Sequence, residues 1–74
     1  MSEMRVMGVV GDTKIIWSSE NDDEVNAART TFDDLREKGF AAYSVKKDGE
    51  KNELIRIFNP QAQKIIMVPP VRGG

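Results

Sequence analysis

Residues 21–39 decide which architectures are open to this chain. Within them Val25, Ala28, Phe32 and Leu35 recur at spacings of three, four and three, which places them on one stripe of an α-helix. The ends of the helix are marked as well. Asn21 is an N-cap residue, and Glu24, three positions on, is placed to complete a capping-box-like pair. Asp22, Asp23 and Glu24 fall in the first turn, where the helix dipole favours negative charge. Arg29–Asp33 and Asp34–Lys38 are outward-facing pairs at i,i+4. Gly39 stands where a helix ends in a left-handed residue. One helix with one apolar stripe must bury it against something else, and the remaining apolar residues have the short-run character of strands.

Residues 4–17 read as a hairpin. Met4, Val6, Val9 and Val10 lead in, Gly11-Asp12 turns, and Ile15, Ile16 and Trp17 lead out, with Gly8 marking a bulge in the first strand. After the helix come strands at 41–45, 54–58 and 65–68. They are separated by a turn around Asp48-Gly49 and a break at Asn59-Pro60. The resulting order, β-β-α-β-β-β, implies a two-layer α+β domain in which a mixed sheet of five strands takes the helix on one face. Residues 1–70 form this single domain, and residues 71–74 are a flexible tail.

Composition excludes more than it suggests. A core drawn from 74 residues supplies only about 3–5 kcal/mol, and domains of this size are often stapled. This chain has no cysteine and no histidine. Disulfides, thiol nucleophiles, imidazole bases and the usual zinc ligands are therefore all missing. Eleven basic residues against twelve acidic ones argue against a sequence-independent nucleic-acid binder. No apolar run reaches the length of a membrane span, and no secretory leader is evident, so a soluble, cytoplasmic protein is expected.

The motifs that could carry chemistry have simpler explanations. Gly8-Val9-Val10-Gly11 fits the GxxG of an RNA-binding module, and Gly11-Asp12-Thr13-Lys14 a phosphate loop, but both need a helix where a strand follows. Asp22, Asp23 and Glu24 lack the spacing of a calcium loop and are accounted for by the helix start. Ser18 and Ser19 have no base partner, and Trp17 and Tyr43 lack the basic stripe that would make them nucleobase platforms. An enzyme is not expected here, nor a metal site or a cofactor of its own.

The remaining candidate is "VPPVRGG", residues 68–74. Pro69-Pro70 stiffens the backbone and stops strand pairing. Val71-Arg72-Gly73-Gly74 is then projected from the sheet, and two residues without Cβ atoms can thread a channel too narrow for any other. What they deliver is the carboxylate of Gly74. The segment "IRIFNPQAQKIIMVPPVRGG", residues 55–74, resembles the closing part of the ubiquitin-like sulfur carriers, the small subunit of molybdopterin synthase among them. Phe58, Pro60, Pro69, Pro70, Val71, Gly73 and Gly74 carry the likeness. The resemblance implies a β-grasp fold and a Gly74 carboxylate that an E1-like adenylating enzyme activates with ATP and Mg, both bound by that partner. Gly74 then carries sulfur as a thiocarboxylate to a sulfur-acceptor enzyme. It also implies that Gly73 is the narrow neck, with Arg72, Val71 and Pro70 recognised by the partner. Arg72 stands where sulfur carriers have a small residue, and "VRGG" is similar to the end of ubiquitin, so a protein-conjugated modifier is the alternative. A plain protein-interaction module with an incidental tail is the third possibility.

Overall fold

Five strands and one helix follow one another as β1 (Ser2–Val6), β2 (Thr13–Trp17), α1 (Asp22–Glu37), β3 (Ala41–Val45), β4 (Glu53–Ile55) and β5 (Lys64–Val68). They are seen in a computed structural model that describes residues 1–8, 11–45 and 53–70. The order in space differs from the order along the chain. The sheet runs β2-β1-β5-β3-β4, because β5 is inserted between β1 and β3. β1 is antiparallel to β2 and parallel to β5, while β3 is antiparallel to both β5 and β4. The result is a mixed α+β sheet with edges at β2 and β4.

Side-chain alternation sorts each strand between two faces. In β1, Met4 turns inward opposite Ile15 of β2 and Ile65 of β5. In β5, Met67 turns inward opposite Val6 and Ala42. The helix lies over this face. Val25, Ala28 and Phe32 are buried in one cluster with Met4, Trp17, Ala42, Ile65 and Met67, and Leu35 and Ile55 are partly buried against it.

Both helix ends are held by specific hydrogen bonds. Asn21 has extended backbone angles, and its Oδ1 accepts from the Glu24 amide at 3.2 Å. The reciprocal half of the expected box does not form. Glu24 Oε1 accepts from the Ser18 amide at 2.8 Å, because the Asn21 amide already donates to the Ser18 carbonyl at 3.0 Å. At the other end, the Gly39 amide donates to Arg36 O and the Phe40 amide to Leu35 O, the double bond of a Schellman cap. Gly39 has φ of +96°, a conformation that favours glycine. The pairs Arg29–Asp33 and Asp34–Lys38 do not form, and Arg5–Glu3 is the sole ion pair among the described residues. Arg29 instead donates to Asn26 Oδ1 at 3.3 Å and sits 5.9 Å from the centroid of the Phe58 ring.

The strand expected at 54–58 is cut short. β4 ends at Ile55, the chain bends at Arg56-Ile57, and Phe58 turns into the core. There its ring meets Trp17 at 5.1 Å and Phe32 at 5.6 Å between centroids. Burying Phe58 costs the strand its alternation, and Ile57 is left 83% exposed rather than packed under the helix. A turn follows, with Asn59 Oδ1 accepting from the Gln61 amide at 2.9 Å and Asn59 O from the Ala62 amide at 3.0 Å. The hairpin also differs in detail. β1 starts at Ser2 and ends at Val6, so Gly8 lies beyond the strand and marks no bulge in it. A Cβ on Gly8 would stand 2.8 Å from Gly11 O, so this position admits only a residue without one. Val9, Val10 and the Asp48-Gly49 turn lie outside the described residues.

Phe32 is fully buried and touches both the sheet residues and Phe58. Truncating such a side chain costs about 3–5 kcal/mol, comparable with the whole stability of a core this small. Phe32→Ala is therefore expected to lose the cooperative transition at room temperature. A thermal melt followed by circular dichroism checks this, and a melt close to wild type would remove the packing role given to α1.

Candidate functional site

The tail begins at a well-defined place. β5 occupies the middle of the sheet, and its last residue, Val68, pairs with Ala41 at the start of β3. Pro69 is half-buried and Pro70 exposed, so the chain leaves the sheet without adding a further pair. The helix cap meets it there. A Cβ built on Gly39 would lie 3.5 Å from Cγ of Pro70, which seats Pro70 over the last turn of α1. Arg36, from that turn, donates to Phe40 O at 2.7 Å and ties the helix end to the start of β3. The root of the tail thus rests where helix, β3 and β5 meet. Of the residues expected to act, Pro70 is placed here. Val71, Arg72, Gly73 and Gly74 lie outside the described residues.

A second feature has no motif of its own in the sequence. The helix covers one face of the sheet, and no described element covers the other. The registers assemble a row across all five strands of that outer face: Lys14, Arg5, Ile66, Tyr43 and Leu54. A second row runs Ile16, Glu3, Lys64 and Val45. Leu54 is 54% and Ile16 50% exposed, while Tyr43, Ile66 and Val45 are half-buried. Cations therefore gather over β2, β1 and the start of β5, and apolar side chains over the rest. Alternation in TKIIW and KIIMV shows that each strand has two faces, but neither shows which strands will be neighbours. The spatial order supplies that.

Glu3 sits among the cations. Its Oε2 accepts from Nε of Arg5 at 3.1 Å. That bond, aided by the charges of Lys14 and Lys64, holds the Glu3 carboxyl below the ordinary glutamate range, against an opposing desolvation effect. Elsewhere, Asp22, Asp23 and Glu24 line a shallow open hollow beside Met1 and Ser18. Among the described residues, no three acidic groups converge as a metal-ligand set. Trp17 is core and not platform, since it is fully buried and its Nε1 donates to Pro60 O at 3.0 Å.

No helix among the described residues is long and apolar enough to cross a membrane. No protein-family model matches the chain, and neither a curated protein nor a solved structure shows significant similarity to it.

The Glu3 cluster makes a pH prediction. A carboxyl whose pKa is lowered on folding contributes stability above its unfolded pKa, and loses that contribution as pH falls through the lowered folded value. Carboxyl-carbon NMR is expected to give Glu3 a midpoint below that of glutamate in an unstructured peptide, and Arg5→Ala should raise it. Any stability gap between wild type and Glu3→Gln should be present at neutral pH and close in acid.

Proposed function

We propose that this chain is a ubiquitin-like β-grasp carrier whose Gly74 carboxylate is adenylated by an E1-like partner and then bears sulfur as a thiocarboxylate. The observation that carries the reading is the exit of the central strand. β5 leads straight into Pro69-Pro70, which leaves the sheet against the Gly39 cap, and Val71-Arg72-Gly73-Gly74 comes next in the sequence. The spatial order β2-β1-β5-β3-β4, with one helix between β2 and β3 packed on one face, supports the β-grasp assignment. The resemblance of residues 55–74 to the sulfur carriers supports the chemistry.

In that chemistry the carboxylate oxygen of Gly74 attacks the α-phosphorus of ATP, and pyrophosphate leaves. A hydrosulfide then attacks the acyl carbon, AMP leaves, and loss of the S–H proton gives the thiocarboxylate. The partner binds ATP and Mg and performs catalysis, and this chain supplies the reacting group and a docking surface. An amine in place of the sulfur would make the chain a protein-conjugated modifier, a route that Arg72 in "VRGG" favours. The interaction-module reading has its own observation in the outer face, which no described element covers.

The reading requires a free carboxylate on Gly74, and intact-mass analysis of the protein from its native cells tests this directly. A C-terminal peptide ending at Gly74 and shifted by one oxygen-to-sulfur exchange is the expected result, whereas linkage to another protein selects the modifier. Deleting Gly73 and Gly74 is expected to change stability by less than about 0.5 kcal/mol, yet abolish ATP–pyrophosphate exchange by the adenylating enzyme isolated with the chain. Gly74→Val should also abolish exchange, by steric exclusion with the carboxylate retained. An unmodified Gly74 in native cells, with full activity of the truncated chain, overturns the reading.

A further inference from the structure

The outer sheet face is cationic on one side and apolar on the other. Along its central row the chemistry changes side from Lys14 and Arg5 to Ile66, Tyr43 and Leu54. Strands are spaced about 4.8 Å apart, so Lys14 on one edge and Leu54 on the other are separated by roughly 19 Å. Lys64 adds a third cation beside Glu3, the only carboxylate in these two rows. Among the described residues no acidic side chain forms an ion pair with Lys14 or Lys64. Half of this face asks for apolar cover, and the other half asks for negative charge.

We infer that the outer face is a docking surface for an acidic protein partner, one that seats a large apolar side chain over Tyr43 and Ile66 and sets carboxylates over Arg5, Lys14 and Lys64. Charge complementarity selects this occupant. A nucleic acid would meet Glu3 among the cations and Leu54, Ile66 and Val45 where it needs further positive charge. An uncharged apolar partner would cover Lys14 and Lys64, which have no ion-pair partner among the described residues, a costly arrangement. The apolar anchor supplies affinity, and the carboxylates supply orientation and rate of encounter.

A random-peptide display library selected on the full chain tests the inference. Enriched peptides are expected to combine Asp or Glu with a large apolar residue. In NMR titrations they should shift the amides of Arg5, Lys14, Tyr43 and Ile66 while sparing the exposed side of α1. The double variant Lys14→Glu/Lys64→Glu should bind at least roughly tenfold more weakly, and peptides with Lys in place of the acids should recover binding to it. Tyr43→Ala should weaken binding comparably. If its melt shows that it does not fold, Leu54→Ser, at an exposed edge position, takes its place. Enriched peptides without acids, affinity indifferent to the charge reversal, or no enrichment at all would overturn the inference. So would dimerisation of the chain through this face in sedimentation, or competition by a single-stranded RNA oligonucleotide. No step involves Gly74, so failure here leaves the carrier reading untouched, and failure of that reading leaves this one standing.

Discussion

The Phe58 ring, held between Trp17 and Phe32, is the contact on which the rest of the structure depends. It joins three parts of the chain that no disulfide could join, because cysteine is missing. Trp17 ends β2, Phe32 lies mid-helix, and Phe58 belongs to the segment leading to β5. Aromatic pairs at such distances contribute about 0.5–1.5 kcal/mol beyond their buried area. The Trp17 indole also donates to Pro60 O, so the turn that redirects the chain is fixed to the same group. The cluster therefore sets where β5 begins.

That starting point matters because β5 completes the sheet. Without it, β1 and β3 would each present an unpaired edge, and the two hairpin-like halves would share only the helix. The pairing of residues 3–6 with 64–67 is also among the most distant in sequence, so its loop-closure entropy is offset only once the core has formed. A last strand in the middle of the sheet has a further result. The tail root is anchored by neighbours on both sides, and the stiffness of Pro69-Pro70 is passed on from a fixed point.

Much of this was legible in the residues. The stripe of Val25, Ala28, Phe32 and Leu35, the Asn21 cap and Gly39 located the helix, since each acts within a turn or two of itself. The strand 41–45 was legible for a similar reason. The inward turn of Phe58 is not legible, because "LIRIF" alternates well enough for a strand, and only the Trp17–Phe32 cleft shows why the chain turns in instead. The donor to Glu24 is not legible, because the Asn21 amide is taken by Ser18 O in a turn that no spacing rule encodes, which leaves the Ser18 amide for Glu24. The outer-face rows were illegible for a deeper reason: each joins residues from strands whose adjacency depends on the insertion of β5. Of the candidate site, the residues of the tail could be picked out, but their surroundings could not.

Local needs account for most of the charged positions, acidic and basic alike. The acids of the first helical turn, with Asp33 and Asp34 further along, are exposed on α1, away from the sheet, while Lys14, Arg5 and Lys64 face outward from the opposite layer. The helix acids satisfy a local need, the dipole at its start. Lys14 satisfies another, since a charged residue on an edge strand discourages pairing with foreign strands. Neither need accounts for Lys64, which lies on the central strand between β1 and β3, where the edge argument does not apply. From Ile66 to Pro70 is four residues, about 13 Å of extended chain. A partner seated over Tyr43 and Ile66 would thus lie within one strand length of the place where the tail leaves the domain.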